Sequence, residues 1–326
     1  MILCRTALLL AVAWSTLAAP GCSAAEAPSR FTLQPRDGAI RVNLDGALFT
    51  EYLYKGFPKP ILYPVIGPGG IAVTRDYPMK QTPGEPADHP HHQSLWFTHG
   101  SVNGTDFWAI TPTSGQEVHD KFVKSEASGD HATIVTENKW IAPGDKLVCT
   151  DTRTITFRAF AGSLDRAIDY DITIHASNGD VIFGDTKEGS MGIRTIPALQ
   201  LKGDEKAGVV AHGKMINSNG QDGSDCWGKR ADWVDYWAPV GGRTIGVAIF
   251  DHPSNPRHPT WWHARDYGLI AANPFGVHDF EKKPPGAGNL TIKNGESITF
   301  RYRFLFHEGD ADAAKIAARY KQYAAN

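Results

Sequence analysis

The feature that most constrains the fold is an alternation of apolar and polar side chains that recurs along the chain. Its clearest examples are residues 152–158 and 169–174. A strand with this pattern turns one face to a core and the other to water, as strands of antiparallel sheets do. Short runs of the same β-rich kind, separated by turn residues, lie at 39–44, 47–53, 61–66, 71–75, 131–140, 147–158, 167–175, 244–251 and 297–307.

Turn residues stand where hairpins need them, at 143–145, 177–180 and 293–296. Alternation together with these turns predicts an all-β protein, a large antiparallel β-supersandwich with more than a dozen strands. No linker rich in Pro, Gly or Ser and no run of charge divides the chain after residue 30. Residues 30–308 are therefore predicted to form one domain.

One helix is predicted, at the C-terminal end over residues 310–324. Asp310 or Asp312 can cap its first turn, because a side-chain carboxylate accepts a bond from the free N–H groups there. The apolar side chains that share one face at helical spacing are Ile316, Ala317, Tyr320 and Tyr323. This face predicts a helix packed against the sheets.

The first 21 residues have the layout of a secretory leader. A single positive charge precedes an apolar stretch at 7–18 that is too short to span a bilayer comfortably. Cys22 then resembles the lipid-attachment cysteine of bacterial lipoproteins, although Pro20 departs from the usual pattern. Lipid attachment at Cys22 and ordinary cleavage near residues 24 and 25 both stay open. Either predicts an exported protein, periplasmic or lipid-anchored to the cell envelope.

Charge and cysteine content narrow the partners and the compartment. The formal net charge is −2, which gives no electrostatic case for binding nucleic acid or a membrane surface. No segment after the leader is apolar enough to suggest a membrane span. Beyond residue 22 only Cys149 and Cys226 remain, too few for a disulfide scaffold, and two buried free thiols are favoured over a bridge.

The densest group of titratable side chains lies between residues 88 and 100. His89, His91, His92 and His99 supply either metal-ligand nitrogens or groups that transfer protons near neutral pH. On a strand, His89 and His91 would share a face and His92 would oppose them. No standard zinc spacing is present. A divalent metal held by His89, His91 and His92 therefore stays open beside proton transfer and simple loop hydrogen bonding.

A second segment, residues 183–194, places Asp185, Lys187, Glu188 and Arg194 between glycines. Closely spaced opposite charges shift each other's pKa, which is how a carboxylic acid is tuned for acid or base work. The other interpretation is a salt-bridged surface hairpin.

A third segment, residues 232–276, sets aromatic rings beside Asn, Asp, Arg and His. A sugar-binding cleft needs this combination, since flat apolar faces cover the C–H side of a pyranose and polar groups reach its hydroxyls. Aromatic packing under loops explains some of the tryptophans. The substrate-binding candidates from all three segments are Trp96, Asn103, Asp185, Trp237, His252, Asn255, Trp262 and Arg265.

Four strings, at residues 89–97, 185–189, 251–255 and 273–276, resemble those of the bacterial family commonly labelled PmoA. The resemblance extends over about residues 30–308. The label implies a methane oxygenase subunit, but a membrane oxygenase needs hydrophobic spans that this chain lacks. The resemblance is thus to a family of unknown function. The segment order is similar, more weakly, to the galactose-mutarotase-like superfamily, which implies a supersandwich whose histidine and carboxylate act on a sugar ring.

The leading hypothesis is an exported carbohydrate-active protein, an enzyme of the epimerase, lyase or glycoside hydrolase type. His92 or His99 would serve as the general acid and Glu188 as the paired base. Arg194 and Lys187 would stabilise developing negative charge. Stacking walls would come from Trp96, Trp237 and Trp262.

The hypothesis requires His92, Glu188 and His263 to meet in one cleft. Two other classes of function stay open. A non-catalytic sugar-binding lipoprotein would keep the aromatic side chains without a tuned acid–base pair. A metal-dependent oxidoreductase would use His89, His91, His92 and His263, and a divalent metal is the one cofactor that the sequence suggests.

Overall fold

The computed structural model describes residues 29–205 and 208–325, so the leader and Cys22 lie outside it. Its strands, numbered in chain order, form two eight-stranded sheets in which all neighbours pair antiparallel. Sheet I contains, in spatial order, β1 (Phe31–Arg36), β2 (Ala39–Leu44), β3 (Ala47–Leu53), β4 (Ile61–Leu62), β5 (Leu95–His99), β11 (Gly189–Arg194), β16 (Leu269–Asn273) and β15 (Trp261–Ala264).

Sheet II contains, in spatial order, β12 (Lys214–Asn217), β13 (Trp233–Val240), β14 (Arg243–Asp251), β18 (Ser297–Glu308), β9 (Arg166–His175), β8 (Lys146–Ala159), β7 (His131–Ala142) and β6 (Gln116–Ser128). A two-stranded ribbon joins β10 (Val181–Phe183) to β17 (Leu290–Ile292). The α-helices of the described residues are α1 (Val277–Glu281) and α2 (Ile316–Ala324), and short 3-10 helices lie at Pro68–Gly70, Pro197–Leu199 and Gly223–Cys226.

The two sheets pack face to face around one aromatic-rich core. Phe49 of sheet I meets Phe157 and Phe306 of sheet II edge-on, with ring centroids 5.9 and 6.1 Å apart. Phe97 of sheet I lies 6.3 Å from Trp140 and 6.0 Å from Phe300. Because side chains alternate along each strand, the outer face of each sheet is left for other contacts.

The two outer faces are covered differently. On sheet II, α2 lays Tyr320 against Phe250, with ring centroids 5.7 Å apart. On sheet I, loops cover a small apolar cluster that includes Trp96, Trp108 and Leu269. This second cover leaves an open cleft, described below.

The prediction of an all-β antiparallel supersandwich with a C-terminal helix is confirmed. The run at 61–66 is shorter than expected, since β4 ends at Leu62 and Pro64 follows, which has no N–H for the ladder. The run at 71–75 forms only isolated bridges, Ile66 to Ala72 and Thr74 to Thr195.

The C-terminal helix begins later than residue 310. Asp310 does accept a bond from the backbone N–H of Ala313, at 2.9 Å, but this closes a turn instead of a helix. Lys315 then adopts a left-handed conformation with φ 54°, which interrupts helical geometry, and α2 starts at Ile316. The boundary is therefore six residues away from the prediction.

Two further expectations concern the described residues. Cys149 and Cys226 are buried free thiols, as the sequence favoured. No helix of residues 29–205 and 208–325 is both long and apolar enough to cross a membrane.

Candidate active site

Three separate segments of the chain meet on the outer face of sheet I. The turn before β5 with the loop that follows β5, the loop before β11, and the hairpin β15–β16 together line a cleft of about 340 Å³. The residues at its walls are His89, His91, His92, Asp106, Trp108, Lys187, Glu188, His263, Arg265 and Tyr267. His92, Glu188 and His263 therefore lie in one cleft, as the sequence led us to expect.

Under the histidines lies Trp96, which reaches this face because strand alternation turns Leu95 and Phe97 towards the core. Gly192 on β11 leaves room for the indole, since a Cβ at that position would come within 3.1 Å of Trp96 Cζ2. Trp96 is fully buried, so it supports the ring of His92 at a centroid distance of 5.6 Å and is not itself a wall of the cleft.

His263 is held in one tautomer. Its Nδ1 donates to the carbonyl oxygen of Lys187 at 2.8 Å, since that oxygen can only accept. Burial is the main reason why the pKa of His263 falls to about 3, and Arg265 and Lys187 add to the effect. The ring is therefore neutral, and Nε2 is left as a nitrogen that can accept a proton or a hydrogen bond.

Glu188 and Lys187 form the exposed charged edge of the cleft. The Lys187 Nζ donates to Glu188 Oε1 at 2.6 Å, and the two side chains are 37 and 35% exposed. At this exposure the pair contributes little to stability, about 0–1 kcal/mol. The carboxylate is nevertheless held in a defined position beside the histidines.

The segment 89–94 is a turn and not a strand, so the expected opposition of His92 to His89 and His91 is wrong. His89 has φ 45° and Ser94 has φ 61°, both outside extended geometry. His89 and His92 instead stack in parallel, with centroids 4.8 Å apart and planes at 3°. All three histidines line the same cleft.

Arg194 fixes the state of His92. Because a guanidinium can only donate, Arg194 Nη1 donates to His92 Nδ1 at 3.0 Å, and the proton of the neutral ring is on Nε2. Burial, together with His91 and Arg194, holds the pKa of His92 well below its usual range. His92 is thus a neutral N–H donor, and the assignment of a protonated general acid is corrected.

Arg194 is itself anchored by Asp88, whose two carboxylate oxygens accept from Nη2 at 2.9 and 3.2 Å. Arg75 pairs with the same carboxylate. Although burial opposes ionisation, His89, Arg194 and Arg75 hold the pKa of the Asp88 carboxyl well below its usual range. Arg194 therefore positions His92 from behind the cleft and does not line this cavity.

His91 rests on a buried lysine. Lys59, only 2% exposed, donates to the carbonyl oxygen of His91 at 3.2 Å. Burial lowers the pKa of Lys59 to about 8, against the opposing effect of Glu117 and Asp106. Burial and the Lys59 charge in turn lower the pKa of His91 to about 4. The imidazoles of the cleft whose pKa shifts are resolved are therefore neutral at physiological pH.

Several candidates from the sequence lie elsewhere and serve the scaffold. His99 is fully buried, with Nε2 donating to the Gly184 carbonyl at 2.7 Å and Nδ1 accepting from Ser190, so it cannot act as the general acid. Trp262 lies in the core and donates from Nε1 to the Ala231 carbonyl at 2.8 Å. Neither contributes to the cleft.

The polar candidates are occupied by backbone groups. Asp185 accepts from the backbone N–H groups of His278 and Gly288, each at 2.9 Å. Asn255 donates to Asp251 and accepts from the Arg301 N–H, both at 2.7 Å. Asn103 bonds the 180–182 backbone in the same way. These three side chains thus bond to the protein and do not line the cleft, because loop backbone needs partners too.

Two more candidates belong to other surfaces. Trp237 lines a separate cavity beside β12 and the 309–313 turn. His252 lies on the outer face of sheet II with Arg301 and Tyr323. Of the predicted substrate-binding residues, Arg265 alone lines the cleft.

The histidine metal site is also corrected. Within residues 29–205 and 208–325, no group of three or more His, Cys, Asp or Glu side chains is arranged to hold a metal ion. His89 and His92 stack instead of converging, and Arg194 occupies Nδ1 of His92. His263 keeps Nε2 unbonded, but it is not part of any such group among the described residues either.

Three residues of the site were missed. Trp108 and Asp106 lie just after the histidine segment, and Asp106 Oδ1 fixes their turn by accepting from the Trp108 N–H at 2.7 Å. Tyr267 lies in the third segment, where nothing distinguished it from the other aromatic residues. Tyr267 provides the aromatic wall of the cleft, and Trp108, although only 2% exposed, borders the cavity beside it.

The fold and the site define a two-sheet antiparallel β-sandwich with a histidine–glutamate cleft on one outer face. A family model matches residues 39–321, and the chain belongs to this family, DUF6807, a family of unknown function. The description carries no PmoA label, so that label stays a prediction. No protein of curated function matches the chain.

Similar solved structures are remote. A galactose mutarotase related enzyme from Lactobacillus acidophilus is 9% identical with a TM-score of 0.30, over 85% of this chain and 97% of that chain. An α-galactosidase from Lactobacillus brevis is 10% identical with a TM-score of 0.33, over 86% of this chain and 40% of that one. A polysaccharide lyase is 13% identical with a TM-score of 0.31, over 88% and 34%. These likenesses are too distant to carry an argument about function.

Proposed function

We propose that this protein binds a carbohydrate in the cleft and acts on it by proton transfer. One observation carries the proposal: a carboxylate, Glu188, shares a cleft with the neutral imidazoles of His263 and His92. A base needs to be ionised and a hydrogen-bond donor needs a fixed proton, and the two kinds of group are both supplied here.

Each group has a distinct role in the proposal. Glu188 takes a proton from the substrate, and Lys187 orients its carboxylate. His263 accepts a bond from a sugar hydroxyl at Nε2. His92 donates from Nε2 to an oxygen that gains negative charge, as a neutral imidazole can do without being an acid.

The walls of the cleft suit a sugar. Tyr267 offers aromatic surface, Trp108 borders the cavity although it is only 2% exposed, and Asp106 and Arg265 offer polar groups at the rim. The Nε1 of Trp108 has no hydrogen-bond partner among the described residues. A sugar hydroxyl supplies the missing acceptor. Epimerisation and elimination both begin with transfer of a proton from the sugar to Glu188, whereas in glycoside hydrolysis Glu188 takes the proton of the attacking water. The proposal covers these three reaction types.

The test is Glu188→Gln, with Glu137→Gln as its matched control. Glu137 is also ion-paired, with Lys121 at 3.0 Å, and is 40% exposed, but it lies on β7 of the other sheet. Both variants are compared with the wild type for sugar binding by calorimetry, for turnover by NMR of the sugar, and for the melting temperature.

Loss of a general base lowers turnover by about 10²–10⁴-fold. Since the Glu188 pair is exposed, we expect the melting temperature to move by a few degrees at most. Unchanged turnover in Glu188→Gln would contradict the catalytic role. Binding without turnover in the wild type would favour the non-catalytic sugar-binding protein.

We also propose that the protein is exported and that Cys22 is its attachment point, on the strength of the leader sequence. The test is fractionation of the native host with wild type and with Cys22→Ser. Membrane association that is unchanged in Cys22→Ser would contradict the anchor and leave ordinary cleavage of the leader.

A further inference from the structure

A second cavity adjoins the histidine–glutamate cleft. Its volume is about 530 Å³, and its walls include Asp88, Arg194, Gln200, Lys202, Asp266 and Tyr267. Tyr267 lines both cavities, so one aromatic side chain separates them. Each cavity falls in the lower part of the range for small-ligand sites, about 300–1,000 Å³.

Tyr267 is held firmly as the partition. The Arg194 guanidinium lies 4.6 Å and the Arg265 guanidinium 5.3 Å from its ring centroid, and His89 stacks on it at 5.1 Å. Its turn between β15 and β16 is closed by bonds from Arg265 N–H to the Leu269 carbonyl and from Gly268 N–H to the Arg265 carbonyl. The two cavities therefore keep a fixed geometry relative to one another.

The second cavity contains polar groups that the protein does not satisfy. Gln200 is 2% exposed and Arg194 is fully buried, yet Gln200 Nε2 and Arg194 Nε have no hydrogen-bond partner among the described residues. A buried donor without a partner is rare and costs about 1–3 kcal/mol. Trp108 Nε1, at the first cavity, also has no hydrogen-bond partner among the described residues. All three atoms are donors, and four acidic side chains also line the second cavity. A ligand that suits both must carry acceptor and donor groups together, as sugar hydroxyls do.

We propose that the ligand is a saccharide of at least two sugar units, one in each cavity, with the linkage passing Tyr267. The inference rests on the proposed function and names its substrate class: an oligosaccharide or a glycoside chain, in preference to a free monosaccharide. The second sugar presents hydroxyl oxygens to Gln200 and Lys202 while the first lies beside Glu188.

The experiment measures binding by calorimetry for two sets of probes. One set contains glucose, galactose, mannose, xylose and rhamnose, and the other contains disaccharides and trisaccharides built from them. The variants are Gln200→Leu, which removes the unpartnered Nε2 at similar volume, and Lys202→Ala, an exposed position with no part in the core. Gln221→Leu is the control, because it too carries an unpartnered amide atom but lies outside both cavities.

The expected result is tighter binding of a disaccharide than of either of its component sugars. Gln200→Leu should weaken disaccharide binding roughly three- to tenfold, the value of one neutral hydrogen bond, and should weaken monosaccharide binding less. Lys202→Ala should act in the same direction, and Gln221→Leu should change neither.

Two failures are distinguishable. A monosaccharide that binds as tightly as every disaccharide containing it, with no selective effect of Gln200→Leu or Lys202→Ala, would overturn the two-cavity inference alone. Absence of binding by every sugar would overturn the proposed function and the inference with it.

Discussion

Buried histidines on the outer faces of the two sheets are held in opposite ways. On sheet II, charged groups find charged partners: Arg303 contacts Asp169 through Nη2 at 2.8 Å, and His307 contacts Asp235 at 2.8 Å. On sheet I, His92 and His263 are neutral and bind a guanidinium or a carbonyl through one nitrogen only. The charge pairs of sheet II stabilise the fold. The neutral rings of His92 and His263 each keep one nitrogen that can bond to a ligand.

His307 and His263 make the comparison quantitative, since both are at most 3% exposed. Burial favours the neutral ring in each. At His307 the Asp235 carboxylate outweighs burial and raises the pKa above its ordinary value. At His263 no carboxylate is bound to the ring, and burial lowers the pKa to about 3. His263 therefore differs from His307 in having a neutral ring, and it differs from the equally neutral His99 in having an unbonded Nε2, since both ring nitrogens of His99 are bonded within the protein.

The largest expected effect is on the structural histidine. Asp235→Ala leaves the buried His307 without its charge partner, and we expect the free energy of unfolding to fall by about 3–5 kcal/mol at pH 6. Urea denaturation measures it. Glu137→Gln on the same sheet removes only an exposed pair and should cost about 0–1 kcal/mol. Equal costs for the two variants would remove the distinction between paired faces and open ones.

Two glycines, Gly246 against His307 on sheet II and Gly192 against Trp96 on sheet I, give the next largest expected effect on the free energy of unfolding. A Cβ at Gly246 would come within 2.7 Å of the Tyr236 carbonyl oxygen and closer still to the His307 ring. Backbone cannot yield there, so Gly246→Ala should cost about 3 kcal/mol or more. Gly192→Ala should cost about 1 kcal/mol, because Trp96 can shift by a few tenths of an ångström. Thermal denaturation ranks them, and a larger cost at Gly192 would contradict this packing.

The sequence predicts the sheets better than the site, and the reason is physical. The strands β2 and β3 match their predicted bounds, because alternation and turn residues are local signals. By contrast, every residue of β15 is buried, so no alternation shows which face Trp262 and His263 occupy. Only pairing with β16 decides that Trp262 lies in the core and His263 in the cleft.

Loop conformation also limits how much of the site can be predicted from the sequence. His89 and Ser94 adopt positive φ, which non-glycine residues rarely do, and nothing in residue type signals it. Polar residues such as Asp185 and Asn255 look like ligands in a sequence, yet they satisfy backbone groups of neighbouring loops. The convergence of three segments could be predicted from composition, whereas the individual contacts depend on loop conformation, which residue type does not determine.

The pH dependence of stability sharpens the comparison further. The pKa of His99 is lowered to about 4 and that of His263 to about 3, chiefly by burial, from an ordinary value near 6.5. Below pH 6.5 the unfolded chain binds protons that the folded chain does not. This stability is therefore present above pH 6.5 and is lost as the pH falls towards 4, by about 1.4 kcal/mol per pH unit for each histidine.

His263→Gln should reduce the dependence of stability on acid pH by about 1.4 kcal/mol per pH unit, the share of one histidine. His307 acts in the opposite sense: its raised pKa contributes stability that is full below pH 6.5 and is lost as the pH rises through the folded value. His307→Gln should therefore flatten the alkaline side and leave the acid slope unchanged. Urea curves between pH 4.5 and 8 measure both variants. An acid slope unaffected by His263→Gln would mean that His263 is not held neutral.

The smallest expected effect lies within sheet I itself and compares a tryptophan of the cleft with one of the core. Trp108 lines the cleft and its Nε1 has no hydrogen-bond partner among the described residues, while Trp262 Nε1 donates to the Ala231 carbonyl. Trp108→Phe loses no hydrogen bond of the free protein, so its stability should stay close to that of the wild type, whereas Trp262→Phe leaves the buried Ala231 carbonyl without its donor.

Fluorescence tests the position of the ligand. A sugar that bonds to Trp108 alters the emission of one tryptophan among nine, a small change in the total. We expect Trp108→Phe to abolish that change and Trp262→Phe to retain it. Retention of the signal in Trp108→Phe would place the ligand away from this wall and return the aromatic role to another ring.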